Sequence, residues 1–336
     1  DAIVLGQTEK GPHPLLAAYR IQPALDATEA ARMRGERAAR AILESLKIHV
    51  IERVALRRPV AMNPCNTPQE LEAMETLIAG TNDATVRDMS SSLVAIILAA
   101  GKGTRMRSDL PKVLHALGGR PLLHHVLDAA AGAGVGRSIL VVGHGAAQVE
   151  ESVTRAGYGE TAFARQPEQR GTGHAVQCAL PSVHAAEEVA LILSGDVPGM
   201  SGAQLRELVD ALDDRTSLAM MTFEAEDPTG YGRVLRDEVG EVTCIREQKD
   251  ASESELQIRE CNAGIYAVRV RLLREALPTF SDRNAAGEVY LTDLIDFAAR
   301  SGRVGTLSVR AEDVVGVNTP EQLAALERRF HDRSGA

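Results

Sequence analysis

The densest group of residues suited to handling phosphate is Leu98-Ala99-Ala100-Gly101-Lys102-Gly103-Thr104-Arg105-Met106, followed by Pro111-Lys112-Val113-Leu114. Small residues and two glycines let a ligand come close to the backbone, whose free N–H groups can cradle an anion. Arg105 and Lys112, seven residues apart, add fixed positive charge, and charge-assisted bonds from such side chains are what a polyphosphate needs in an acidic protein. The run is not a dinucleotide fingerprint, because Met106 stands where G-x-G-x-x-G requires its last glycine, and it lacks the spacing of a Walker A loop. The bland alternative is a Gly-rich turn with surface cations.

A second group is Leu191-Ile192-Leu193-Ser194-Gly195-Asp196-Val197-Pro198. A carboxylate just past an apolar strand lies where open α/β sheets bind ligands. Its hard oxygens suit Mg2+, which bridges substrate phosphates. The competing reading makes Asp196 a turn residue capping a helix that starts near Ser201. A third group is Gln166-Pro167-Glu168-Gln169-Arg170-Gly171-Thr172-Gly173-His174. Its side-chain amides pair a donor with an acceptor, as reading a base edge requires, and Gly171-Thr172-Gly173 opens the next helix. His174 reads as a structural helix residue rather than a base. Pro228–Arg233, Glu247-Gln248-Lys249-Asp250 and Cys261-Asn262-Ala263-Gly264 punctuate a later stretch and could each be a turn.

The elements that must position these residues alternate. Leu93–Leu98, Ser138–Val142 and Val189–Leu193 are continuous apolar runs, as expected of strands covered on both faces. A helical pattern runs from Pro121 to Ala131 between the first two. This alternation predicts a three-layer α/β domain with a mostly parallel, Rossmann-like sheet. Segments 217–223, 232–235, 242–245 and 264–268 are strand-rich and predict an antiparallel or mixed extension.

Composition narrows the function. The net charge of −9 argues against nonspecific binding to nucleic acid or anionic lipid, and 3% aromatic residues without Trp argue against stacking of single strands. No apolar run nears the ~20 residues of a membrane helix, and no signal peptide is legible. Four scattered cysteines (Cys65, Cys178, Cys244, Cys261) fit neither a zinc ribbon nor a disulfide scaffold, so a reducing cytoplasm is expected. No Gly-x-Ser-x-Gly, Cys–His or HExxH pattern supports a covalent hydrolase or zinc peptidase.

The stretch 81–92, with Gly80 before it and Ser90-Ser91-Ser92 within it, reads as a linker between an incomplete α/β segment, 1–80, and a main domain, 93–331. An echo links the two parts: Cys65-Asn66-Thr67-Pro68-Gln69-Glu70-Leu71 resembles Val317-Asn318-Thr319-Pro320-Glu321-Gln322-Leu323. Each copy predicts a helix start, with Thr at the N-cap, Pro at the first helical position and Glu or Gln completing a capping box.

Taken together and in order, LAAGKGTRM, SDLPKVLH, GTGHA, GDVP, DPTGYGR and NTPEQL resemble the sugar-nucleotide pyrophosphorylases, and most closely the uridyltransferase domain of bifunctional N-acetylglucosamine-1-phosphate uridyltransferases. The resemblance implies a nucleotidyltransferase fold that transfers a uridylyl group from UTP to N-acetylglucosamine-1-phosphate, for cell-wall and lipopolysaccharide precursors. It implies that Leu98, Ala99, Ala100 and Gly101, with Ser194 and Gly195, surround the substrates, and that Arg105 and Lys112 act on the phosphates. It further implies that Gln166, Gly171 and Thr172 contact the uridine, that Gly232, Glu247 and Asn262 hold the amino sugar, and that Asp196 and Asn318 bind Mg2+. Ala263 departs from the threonine usual beside that asparagine.

Only 18 residues follow Asn318, so the acetyltransferase repeats of these enzymes are not expected here. Segment 1–80 resembles instead the C-terminal half of a molybdenum-cofactor guanylyltransferase, through His13–Arg20 and Asn63–Pro68, with Arg32, Arg34, Arg37 and Arg40 on a helical pattern. Other acceptors, the molybdenum cofactor among them, and a non-catalytic nucleotide-sugar binding module remain as alternatives. The oligomeric state is not legible.

Overall fold

Where apolar residues run without interruption, the chain forms strands buried on both faces. The computed structural model describes residues 5–8, 11–17 and 92–334. The chain divides into two units, 1–86 and 87–336. In the first, strands β1 (Leu5–Thr8) and β2 (Gly11–Ala17) form an antiparallel pair with a register shift between Leu5 and Gln7. The Arg32–Arg40 pattern, the first copy of the capping echo and residues 81–91 lie outside the described residues.

The second unit begins with β3 (Leu93–Ala99), a small hairpin of β4 (Ala116–Leu117) and β5 (Arg120–Pro121), and α1 (Leu122–Gly132). Next come β6 (Arg137–Val142), α2 (Ala146–Ala156), β7 (Glu160–Arg165), α3 (Thr172–Ala179), β8 (Val189–Ser194) and α4 (Gly202–Asp210). The later half carries β9 (Thr216–Glu224), β10 (Arg233–Arg236), β11 (Val242–Arg246), the single turn α5 (Glu253–Leu256), β12 (Glu260–Arg269) and α6 (Val270–Ala276). It closes with α7 (Asp293–Ser301), β13 (Arg303–Ser308) and α8 (Pro320–Ser334).

Strands β8, β3, β6 and β7 lie side by side and parallel. β12 joins β8 antiparallel and turns the sheet mixed, with β9 and β10 on β12, β11 on β10, and β13 parallel to β9. The alternating residues of β3 explain the three layers. Leu93, Ala95 and Ile97 pack with Leu123 and Val126 of α1, Val149 of α2 and Leu205 of α4. Val94 and Ile96 face the opposite way, with Val176 of α3, Leu273 of α6 and Ile295 of α7. Both faces are covered, so the strand reads as an apolar run rather than an alternation. Among the described residues, no helix is long and apolar enough to cross a membrane.

Two features of the sheet build a site. The parallel strands all end on one side, where the Gly195 N–H donates to the Leu98 carbonyl at 3.0 Å and ties the loop after β8 to the end of β3. The β8–β12 ladder stops at Ile192↔Tyr266, and β12 meets β10 at Cys261↔Arg233. Residues 263–265 of β12 are left without a partner strand on that edge, beside the C-terminal end of β8.

Ile97 is fully buried directly before the glycine loop. Replacing Ile97 by Ala is expected to destabilise the second unit by about 2–5 kcal/mol, the range for deleting a large aliphatic side chain from a packed core. A urea titration followed by circular dichroism checks this; a loss below about 1 kcal/mol contradicts the packing described.

Candidate active site

The loop after β3 reaches its cations through two left-handed turns. Gly103 has φ +59°, and Arg107, closing the short 3-10 turn Thr104–Met106, has φ +53°. A Cβ on Gly103 would lie 2.7 Å from the Lys112 Cβ, so glycine there lets the loop fold onto the lysine stem. Nothing lies within 4 Å of where a Cβ on Gly101 would sit, so the backbone there faces open space. Lys112 opens a second 3-10 turn, Lys112–Leu114, whose Val113 is anchored in the core.

Four residues from distant parts of the chain then meet. The Lys112 Nζ donates to Asp196 Oδ2 at 2.5 Å and to Asn318 Oδ1 at 3.0 Å. An Arg105 guanidinium nitrogen donates to the same Asn318 oxygen at 3.1 Å. The Lys112 and Asp196 side chains are only 16% and 15% exposed. The bland readings therefore fail on geometry: Lys112 is not a loose surface cation, and Asp196 caps no helix. The cap of α4 is Ser201, which forms a reciprocal capping box with Gln204.

Asn318 is placed by the start of α8. Its N–H and that of Thr319 donate to Gln322 Oε1 at 2.8 and 3.1 Å, while Gln322 N–H donates to Thr319 Oγ1 at 3.3 Å. The expected capping box is present. Val317 N–H donates to the Asp196 carbonyl at 3.0 Å. Gly316, which the motif reading overlooked, lies against both site residues: a Cβ there would be 3.4 Å from Asp196 Oδ2 and 3.6 Å from Asn318 Nδ2.

On one flank, Gln166 is buried, and its Nε2 donates to the Gly171 carbonyl at 3.0 Å. Gln169, the second amide of that motif, donates to the Ala100 carbonyl at 2.5 Å and so ties this loop to the glycine loop after β3. Gly171 (φ +102°) and Gly173 start α3 against Val289, where a Cβ on either would come within 2.9 Å of the Val289 carbonyl. Thr172 Oγ1 accepts from Leu291 N–H at 3.3 Å. His174 meets Cys178 one turn on in α3 and Gln166 outside the helix.

On the other flank, Gly232, Glu247 and Asn262 form a separate knot. Asn262 N–H donates to the Gly232 carbonyl at 2.9 Å, its Nδ2 donates to the buried Tyr266 hydroxyl at 2.7 Å, and its Oδ1 accepts from Gly264 N–H at 3.0 Å. A Cβ on Gly232 would stand 3.6 Å from both Glu247 carboxylate oxygens. Burial pushes the Glu247 carboxyl above its ordinary range, with Asp250, Asp293 and Glu288 adding to the effect, while the Thr292 hydroxyl bond opposes it. Burial likewise raises the Tyr231 phenol, with Cys261 and Asp196 adding to that shift. Among the described residues no hydrogen bond joins this knot to the Lys112 cluster.

The oxygens of Asp196 and Asn318 converge on a single cation, the lysine ammonium, so the pair already forms a cation site of hard oxygen donors, the donor type Mg2+ takes. Among the described residues, no cluster of three or more His, Cys, Asp or Glu side chains is arranged to hold a metal, so a metal here would rest on this mixed carboxylate–amide pair and on ligands from substrate or water.

Comparison with known proteins follows the same outline. Residues 95–258 match the family described as MobA-like NTP transferase domain. The "Bifunctional protein GlmU" of Alcanivorax borkumensis is 52% identical over 241 residues, which are 71% of this chain and 52% of that protein. That of Sorangium cellulosum is 48% identical over 250 residues, 72% of this chain and 52% of that protein. The chain thus spans about half the length of the curated relatives it matches. Among solved structures, UDP-glucose pyrophosphorylase complexed with UDP-glucose shares the fold, with a TM-score of 0.60 at 16% identity over 71% of this chain and 98% of that one. The apo form gives a TM-score of 0.61 at 15% identity, over 72% and 98%. Within the second unit, residues 95–258 thus match the MobA-like NTP transferase domain, and the chain is similar to about half of each bifunctional GlmU protein.

Proposed function

We propose that the chain makes UDP-N-acetylglucosamine and pyrophosphate from UTP and N-acetylglucosamine-1-phosphate. The observation that carries this reading is the convergence of Arg105, Lys112, Asp196 and Asn318 beside a glycine loop at the C-terminal ends of parallel strands. Open α/β sheets bind ligands at that edge. The acceptor phosphate oxygen attacks the α-phosphorus of UTP in line; a new P–O bond forms, and the bond to the β-phosphate oxygen breaks as pyrophosphate leaves with its electrons. No protein nucleophile is needed. The residues act by holding the two phosphates at attack distance and by offsetting charge that builds on the oxygens.

In this reading the open backbone at Gly101 faces the triphosphate, and Arg105 and Lys112 turn from the Asn318 and Asp196 oxygens onto phosphate oxygens. Asp196 and Asn318 would hold Mg2+, which when bound would supply further neutralisation of the triphosphate. Gln166, Gly171 and Thr172 border the base, with Leu98, Ala99, Ala100, Ser194 and Gly195 lining the floor at the strand ends. Gly232, Glu247 and Asn262 receive the amino sugar, where a half-buried carboxylate and a pre-oriented amide suit sugar hydroxyl and acetamido groups. The 1–80 segment, the linker at 81–92 and the 93–331 domain stay as proposed divisions of the chain, and pathway and cellular location follow from the same reading.

A pyrophosphate-release assay tests it with UTP, dTTP, CTP and GTP against several sugar phosphates. UTP with N-acetylglucosamine-1-phosphate is expected to give the highest kcat/KM; a preference for GTP with molybdopterin, or UDP-sugar binding without turnover, refutes the assignment. Asp196→Asn keeps an acceptor for Lys112 but removes the charge, and turnover is expected to fall by about 10³-fold with the thermal melt little changed. Near-normal pyrophosphate release from this variant contradicts the metal assignment. Lys112→Met is expected to lower kcat by about 10² or more, the loss typical of one electrostatic donor at a reacting centre. Steady-state kinetics at saturating UTP measure it, and an unchanged kcat with raised KM would instead make Lys112 a ground-state binding group.

A further inference from the structure

The asparagine of the Lys112 cluster hangs between two anchors of unequal kind. Before it, Val317 is fully buried with Met106, Leu117 and Leu122, and its N–H donates to the Asp196 carbonyl at 3.0 Å. The residue next to Asn318 is therefore tied to the main chain of the cluster's carboxylate. After it, the hold is a side chain: Gln322 Oε1 accepts from the N–H of Asn318 at 2.8 Å and from that of Thr319 at 3.1 Å. Asn318 Nδ2 donates to the Gly316 carbonyl at 3.4 Å, which leaves Oδ1 to face Lys112 and Arg105.

Helix capping accounts for only part of this. In a capping box the Thr319 hydroxyl takes the Gln322 N–H, and Gln322 returns a bond to the Thr319 N–H; both are present. The shorter bond, to the N–H of Asn318, lies one residue before the cap and outside the box. It constrains the residue that carries the shared amide oxygen. Gln322 is itself exposed, so it fills no place in the core.

We infer that Gln322 is a positioning residue for the cation site: its bond to the Asn318 N–H holds Asn318 Oδ1 beside Asp196 Oδ2 for a divalent ion. This rests on Asp196 and Asn318 being the metal-binding pair, as proposed above. A site with only two protein oxygens depends on both being held before the ion arrives, and removing a group that orients a ligand from behind weakens metal binding by roughly 10- to 100-fold. The same bond steadies the oxygen to which Lys112 and Arg105 donate.

The test follows Mn2+ binding to the full chain through loss of the free-ion electron paramagnetic resonance signal. It is run with UDP-N-acetylglucosamine present and corrected for the metal that the nucleotide sugar binds alone. Gln322→Met, which keeps the length and loses the acceptor, is expected to raise the Mn2+ Kd by about 10-fold or more. Gln322→Glu, which accepts the same two N–H bonds, should return it to within about threefold of wild type. Thr319→Ala removes the other half of the capping box and leaves the bond to Asn318. It should lower the melting temperature about as much as Gln322→Met while the Mn2+ Kd stays within about twofold. An unchanged Kd in Gln322→Met, a Glu variant as impaired as Met, or an equal loss in Thr319→Ala overturns the proposal. Where Gln322→Met does not fold, Gln322→Ala supplies the same comparison, and failure of both to fold makes Gln322 a purely structural residue and also overturns it. A wild-type Kd that Asp196→Asn leaves unchanged refutes the metal pair and this inference with it, whereas Asp196-dependent binding with an unaffected Gln322→Met refutes only the role of Gln322.

Discussion

One ammonium group organises the second unit of this protein. Lys112 Nζ lies between a carboxylate at the end of β8 and an amide oxygen at the entrance to α8. Each is delivered by a different structural device: a 3-10 turn for the lysine, a parallel strand for the aspartate, a capped helix for the asparagine. A charge this shielded costs several kcal/mol to desolvate unless it is paired, so the three elements are held to one arrangement. The glycines nearby serve that closeness. Gly103 lets the loop lie on the lysine stem, and Gly316 keeps space beside both oxygens.

The second constraint is the change of sheet direction. A purely parallel sheet would continue past β8 with another βα unit. Here β12 pairs antiparallel with β8 over Val189–Ile192 and then turns away to β10. Among the described residues, no hydrogen bond joins the Lys112 cluster to the Gly232–Glu247–Asn262 knot. Residues 285–292 join the start of α3 to the Glu247–Asp250 turn.

What could be read from the residues alone depended on how local the cause was. The apolar runs at Leu93–Leu98, Ser138–Val142 and Val189–Leu193 are strands because burial on both faces leaves no polar position to interrupt them. Asn318 stood out because the Thr319–Gln322 box that places it is written within four residues. Gln322 and Gln169 were visible in their motifs, though not as contacts. Thr292 and Gly316 were not visible at all. Their partners lie 45 and 120 positions away in the chain, and nothing in a Leu-Thr-Asp or Val-Gly-Val run signals a meeting with Glu247 or Asp196.

Helix α8 does more than close the fold. Near its far end, Phe330 packs on the hairpin at Gly118, where any Cβ would strike the ring, and Glu327 accepts from the Gly118 N–H at 3.0 Å. His125 meets the same ring edge-on, with centroids 5.5 Å apart. The helix is thus held by Phe330 near one end and carries Asn318 just before the other, about three turns away. The packing of Phe330 on Gly118 therefore fixes the same helix whose entrance places the amide oxygen that Lys112 and Arg105 share.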